Sequence, residues 1–173
     1  MSEKISDKLR YCSPEICQPI IELAVEIARE GREGRRIGTL FTIGDADRIL
    51  AHSRPLILDP IALHPEEVRN IRNDNLRGTI KELAQLDGAF IFDTNGYLVA
   101  AARYLDAKAS DIELPMGLGS RHLAAASITK IAHAIAIVVS ESAIVRIFEN
   151  GNLVGDIIPE LWLLNREHVI TKG

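Results

Sequence analysis

Pro115-Met116-Gly117-Leu118-Gly119-Ser120-Arg121-His122-Leu123-Ala124-Ala125-Ala126 divides into a glycine-bearing loop and a helix start. Ser120 is expected as the helix N-cap, its hydroxyl accepting a first-turn N–H. That turn leaves unpaired N–H groups and the positive end of the helix dipole facing outward, where an anion such as a phosphate fits. Gly117 and Gly119 let the loop backbone approach a ligand. Arg121 adds a planar fork of donors matched to phosphate oxygens, and His122 adds a further donor. No Gly-Lys-Ser/Thr follows, so the loop is not a Walker motif.

Upstream of this loop, two strand-like runs, Ala89–Phe92 and Tyr97–Tyr104, flank Asp93-Thr94-Asn95-Gly96, a strong hairpin signal. Leu105–Leu114 is a polar loop. Downstream, Ala134–Val139 is a continuous apolar run, the pattern of a strand buried on both faces. Ser140-Glu141-Ser142 is a turn. Ile144–Glu149 and Leu153-Val154 form a second hairpin across Asn150-Gly151. Pro159 to His168 is expected to be a helix carrying Trp162.

In the N-terminal half, Met1–Cys12 is charged, aperiodic and expected to fray. Ser13-Pro14-Glu15 starts a helix that Gly31 ends, with Pro19 either delaying the start or kinking it. Arg32–Arg36 is a basic turn expected to be solvated. Ile37–Ile43 reads as a strand, Asp45–His52 as a short helix capped by Asp45, and Ser53–Leu63 as a loop in which Leu56–Leu58 adds an extended piece. Pro65–Arg72 and Asn75–Leu86 read as helices. The order of elements predicts one α/β domain over residues 1–173, with a mixed central β-sheet flanked by helices.

The composition narrows the function. The chain has 173 residues and a net charge of −4, which excludes a broad nucleic-acid-binding face. No segment has the ~18 apolar residues a membrane span needs. The charged N-terminus carries no apolar leader region, so a cytoplasmic protein is expected. Cys12 and Cys17 are too far apart for a CxxC motif and are expected to be reduced thiols.

Asp87-Gly88-Ala89 sits between an amphipathic helix and a strand. A carboxylate there can hold a divalent cation or take a proton from a hydroxyl, although Asp-Gly turns after helices are common. Gly88 and Ala89 leave room for a flat ligand. Ser140-Glu141 ends the buried strand, and strand ends are where ligands of α/β sheets gather. Tyr104-Leu105 offers an apolar wall. His133 reads as structural, and His52, His64 and His168 have no ligand spacing.

Taken in order, Asp87-Gly88-Ala89, Gly119-Ser120-Arg121-His122 and Ser140-Glu141 resemble the motif set of the diadenylate cyclase (DAC) domain family, with an archaeal look. That family carries an Asp-Gly-Ala, a Gly-(Thr/Ser)-Arg-His-Arg at a helix start and a Ser-Glu turn. Ala100-Ala101-Ala102-Arg103-Tyr104-Leu105 and Asn150-Gly151-Asn152-Leu153 agree with it too. The match covers about Leu83 to Leu153. Two positions depart: Leu123 stands where the family has its second arginine, and Ser142 where many members have an acid.

The resemblance implies the DAC-domain fold and condensation of two ATP into cyclic di-AMP and two pyrophosphates. It implies a face-to-face homodimer or higher homo-oligomer and a divalent metal ion (Mn²⁺, Mg²⁺ or Co²⁺). Asp87 would bind the metal and assist 3′-hydroxyl deprotonation. Arg121 and His122 would act on the phosphates with Gly119 and Ser120, and Ser140 and Glu141 would lie at their far end. Gly88 and Leu105 would sit close to adenine, and Ala89 would also bind ATP. Leu123 motivates the alternative of a catalytically inactive nucleotide-binding regulatory module. A purely structural domain, with Asp87 and Arg121 ion-paired, is a third reading.

Overall fold

The structure is a computed structural model that describes residues 4–164 and 169–170. One mixed sheet of eight strands organises them. In chain order the elements are α1 (Ile5–Lys8), α2 (Pro14–Glu30), β1 (Thr39–Gly44), α3 (Ala46–Ala51), β2 (Ser53–Pro55), α4 (Asp74–Leu83), β3 (Ala89–Phe92), β4 (Leu98–Leu105), α5 (Ser120–Ile131), β5 (Ala134–Val139), β6 (Val145–Glu149), β7 (Asn152–Ile157), α6 (Pro159–Leu164) and β8 (Val169–Ile170). The strands lie side by side as β2-β4-β3-β1-β5-β6-β7-β8. Only β1 and β3 run parallel; the other neighbours are antiparallel.

β1 and β5 form the centre, and every residue of both is buried. Their side chains alternate between two apolar layers. Phe41, Ile43, Ile135, Ile137 and Val139 face α2, whose Ile16, Ile20, Leu23, Ala24 and Ile27 form its buried stripe. Leu40, Ala134, Ala136 and Val138 face the other way, against Ala125, Ala126 and Ile128 of α5. The small residues on this second face let α5 lie close to the sheet.

Several expectations need correction. Residues 4–12 do not fray: Ile5 and Cys12 are buried, and Glu149 accepts the N–H groups of Arg10 and Tyr11 at 2.7 and 3.2 Å. Pro19 lies inside α2, where it removes the bond its N–H would give to the Glu15 carbonyl; the buried apolar stripe on both sides of it carries the helix through. Ser53–Pro55, expected as loop, is an edge strand on β4, where Pro55 is tolerated. Pro65–Arg72 holds only a 3₁₀ turn at Glu66–Val68. Of the predicted C-terminal helix, Pro159–Leu164 is observed with Trp162 buried; residues 165–168 lie outside the described part. No helix among the described residues is long and apolar enough to cross a membrane.

Candidate functional site

The sheet register assembles the site. Leu40 pairs with Ala89 on one side of β1, and Thr39 pairs with Val139 on the other. Extended outward, that register sets Gly38 between Asp87 and the Ser140 turn. α5 runs antiparallel to β5, so its N-terminus arrives at the same end. The site therefore lies at the N-terminal ends of the parallel pair β1 and β3, opposite to the carboxyl-end rule of wholly parallel sheets. The antiparallel partners β4 and β5 do present their C-terminal ends here.

Two cavities adjoin at this end. The first, about 180 Å³, is lined by Leu40, Leu56, Asp87, Gly88, Ala89, Arg103, Tyr104, Leu105, Ser120, Arg121 and Ala124. Its apolar walls from β1, β3 and β4 make a slot for a flat ring. The second, about 270 Å³, is polar and shares Asp87 and Arg121 with the first; Glu141, Ile37, Gly38, the basic turn and the Ala84-Gln85-Leu86 segment also line it. Arg121 stands at the junction. Its Nη1 lies 3.6 Å from Glu141 Oε1 and its Nη2 lies 3.9 Å from Asp87 Oδ1. These long, exposed contacts are worth on the order of 0–1 kcal/mol. They orient a guanidinium without consuming it, which weighs against a merely structural ion pair.

Local geometry explains the other motif residues. Gly88 has φ +107°, and a Cβ there would meet the backbone of Ala102 and Arg103 at 2.7–2.8 Å. Its missing side chain makes room for β4, not for a ligand; it borders the slot through its backbone. β4 bulges opposite it: Ala89 pairs with Arg103 but Ile91 with Ala100, and Ala102 takes φ 53°. Such bulges re-aim side chains beside sites. Arg103 emerges here and donates to Ser53 Oγ at 3.0 and 2.9 Å.

At α5 the N-cap is Gly119, and Ser120 is already the first helical residue. The expected Ser120 cap is thus absent. Ser120 lines the slot instead, at a first turn whose N–H groups no side chain caps. His122 does not reach either cavity. It is buried, its Nε2 lies 3.3 Å from Arg146 Nη1, and its ring packs near Phe148. Burial, then the neighbouring Arg146 and Arg121 charges, push its pKa down to about 4, so it is neutral at pH 7. The helical spacing of His122 with Ala125, Ala126 and Thr129, all buried, is a signal that predicts this. Leu123 is half-exposed and lines neither cavity.

Ser140 is also outside both cavities; its hydroxyl meets Ser142 Oγ at 2.7 Å and accepts the Ser142 N–H at 3.2 Å. Glu141 lines only the polar cavity. Asp87, Gly88, Ala89, Leu105, Ser120 and Arg121 therefore converge with Glu141, whereas His122 is buried beneath α5, Gly119 caps that helix and Ser140 closes its own turn, all three outside the cavities. Sequence reading missed Leu40, Leu56 and Gly38, and took the basic turn as mere solvated surface.

The chemistry of the donors fits a divalent cation. Asp87 and Glu141 are exposed hard-oxygen donors on either side of the junction, and among the described residues Asp87 accepts one N–H, that of Gly88, at 3.0 Å. No group of three or more His, Cys, Asp or Glu converges among the described residues. An ion here would complete its shell with phosphates and water, as Mg²⁺-type sites do.

An apolar slot joined to a cationic basin through a shared carboxylate and guanidinium is the layout of a nucleotide-binding site. Residues 26–153 match the family model described as DAC, DisA bacterial checkpoint controller nucleotide-binding. The chain is 49% identical over 146 residues to a diadenylate cyclase of Methanocaldococcus jannaschii, covering 84% of this chain and 46% of that protein. It is 37% identical to a diadenylate cyclase of Haloferax volcanii, covering 86% of this chain and 55% of that one. It thus spans about half the length of the curated relatives it matches. The fold is similar to a double mutant of DacA from Staphylococcus aureus, with a TM-score of 0.57 at 24% identity over 88% of this chain and 95% of that one. A hypothetical membrane-spanning protein from Bacillus cereus gives a TM-score of 0.60 at 21% identity over 83% of this chain and 63% of that one. The chain belongs to the DAC family.

Proposed function

We propose that residues 1–173 form one catalytic domain that condenses two ATP into cyclic di-AMP and two pyrophosphates. The observation that carries this reading is the convergence of Asp87, Gly88, Ser120 and Arg121 on one cleft that has an apolar half and a cationic half. Relatives bearing the name diadenylate cyclase support it. Adenine occupies the slot between Leu40, Leu56 and Leu105. The uncapped first turn of α5, the Ser120 hydroxyl and Arg121 hold the α-phosphate region.

Each 3′-oxygen attacks the α-phosphorus of the opposite ATP. A new P–O bond forms, the bond to pyrophosphate breaks, and Asp87 assists removal of the hydroxyl proton. The event occurs twice and closes the ring. A divalent ion bound by Asp87, with Glu141 nearby, would supply Lewis-acid stabilisation of phosphate charge; Mn²⁺, Mg²⁺ and Co²⁺ all suit the oxygen donors. His122 acts behind the phosphate site as a neutral packing group. The open position of Asp87 and Arg121 leaves one protomer without an enclosed reaction centre, which favours a homodimer or higher homo-oligomer with two nucleotides facing each other. ATP as substrate puts the reaction in the cytoplasm. No part of the scheme involves nucleic acid or membrane.

The test uses 3′-deoxy-ATP, which lacks the attacking hydroxyl. It is expected to bind like ATP and to release no pyrophosphate. Pyrophosphate release from 3′-deoxy-ATP at the rate seen with ATP would show hydrolysis in place of condensation and would refute the scheme. Leu123, half-exposed in place of an arginine, favours one second reading: a module that binds the nucleotide without turnover.

A further inference from the structure

We propose that the Arg32–Arg36 turn is a terminal-phosphate subsite: Arg35 and Arg36 hold the β- and γ-phosphates of the bound nucleoside triphosphate and the pyrophosphate they become. The proposal rests on the reading of the adjoining slot as an adenosine site.

The turn is built, not loose. Glu33 (φ 51°) and Gly34 (φ 76°) take consecutive positive φ values, the pattern of a two-residue type I′ hairpin. Arg32 and Arg35 exchange both backbone hydrogen bonds at 2.9 Å. The Arg32 guanidinium pairs with Glu82, fastening the turn to the end of α4. Arg35 and Arg36 are left exposed at the rim of the polar cavity, and among the described residues no hydrogen bond or ion pair engages either guanidinium.

Charge accounting singles these two out. The cavity is lined by Arg32, Arg35, Arg36 and Arg121 against Glu33, Asp87 and Glu141. Arg32 is committed to Glu82, and Arg121 lies between Asp87 and Glu141. The uncommitted pair, Arg35 and Arg36, therefore faces only Glu33. Arg121, already flanked by two carboxylates, cannot by itself neutralise a triphosphate tail. Guanidinium forks match phosphate oxygens bidentately.

Size points the same way. Pockets for ligands of this size run to roughly 300–1,000 Å³. Neither the slot, about 180 Å³, nor the basin, about 270 Å³, reaches that range alone; joined through Asp87 and Arg121, they do. One ligand with a flat apolar head and a polyanionic tail fills both. The basin opens to solvent, which gives the leaving pyrophosphate an exit.

The test is calorimetric titration of AMP, ADP, ATP and inorganic pyrophosphate into the whole chain and into the double variant Arg35→Ala/Arg36→Ala, with cyclic di-AMP formation followed in parallel. Both residues are exposed, so the variant is expected to keep the wild-type melting temperature. It is expected to lose ATP affinity by about 10- to 100-fold, the worth of one charge-assisted contact, while AMP affinity stays unchanged. Arg35→Lys/Arg36→Lys should recover part of the loss. A wild-type ATP-to-AMP affinity ratio in the double alanine variant, with cyclisation at unchanged KM, would overturn the subsite and leave the cyclase reading standing. Failure of the wild-type chain to bind AMP or ATP would overturn the adenosine slot and this subsite with it.

Discussion

Gly38→Ala isolates what Arg121 does. A Cβ at position 38 would stand 2.5 Å from Arg121 Nη1, 2.9 Å from its Cζ and 3.1 Å from Glu141 Cγ. Ordinary contacts begin near 3.4 Å, so the guanidinium must retreat by roughly 1 Å. Gly38 is not in the left-handed region, so alanine fits its backbone, and the displaced atoms end a flexible side chain. The cost to folding is therefore expected to stay within about 0.5 kcal/mol. The cost to binding is larger. A charge-assisted hydrogen bond is worth about 1.5–3 kcal/mol, and a misplaced one loses most of it, so ATP affinity should fall ~10- to 100-fold. Titration calorimetry reads the affinity and differential scanning calorimetry the stability. The control is the cycle with Arg121→Ala: once the guanidinium is gone, adding Gly38→Ala should cost nothing more. Wild-type ATP affinity in Gly38→Ala, or an equal loss in the Arg121→Ala background, would refute the reasoning.

Three further outcomes are expected. Asp87→Asn keeps the volume and removes the negative charge, so cyclic di-AMP formation should disappear at an unchanged melting temperature; normal turnover would remove Asp87 from its role. Gly88→Ala forces an L side chain to φ +107° and onto the β4 backbone at 2.7–2.8 Å, so it should destabilise the fold by more than about 2 kcal/mol in urea titration, and an unmoved midpoint would contradict the close approach. The His122 pKa is lowered from 6.5 to about 4; the stability this neutral ring contributes is present above pH 6.5 and lost as pH falls towards 4, ~3 kcal/mol in all. Unfolding free energies of the wild type and His122→Gln across that window should converge at the acid end, and parallel curves would refute the burial of an uncharged ring.

The sequence made the strands of the centre legible because two-sided burial writes a continuous apolar run, as in Ala134–Val139. Asp93–Gly96 was legible because hairpin turns have strict chemistry. Ser53–Pro55 was not, since three residues with a proline carry no period, and only the exposed edge of β4 gives them a partner. The convergence of Asp87, Ser120 and Arg121 was readable through the family motif. His122 and Ser140 belong to that motif but turn inward or close a local turn, because a helix face and a tight turn decide where their side chains go. The place of Gly38 between Asp87 and the Ser140 turn depends on strand register across the sheet, and the place of Arg35 and Arg36 at the polar cavity depends on how the turn before β1 folds back; local spacing encodes neither.

The most direct test of the cyclase assignment is incubation of the purified chain with ATP and Mn²⁺, Mg²⁺ or Co²⁺, followed by nucleotide separation and mass analysis. Cyclic di-AMP with two pyrophosphates per molecule formed is the expected product, despite Leu123. Tight ATP binding with no cyclic product under any of the three metals would contradict the assignment and leave a nucleotide-binding module.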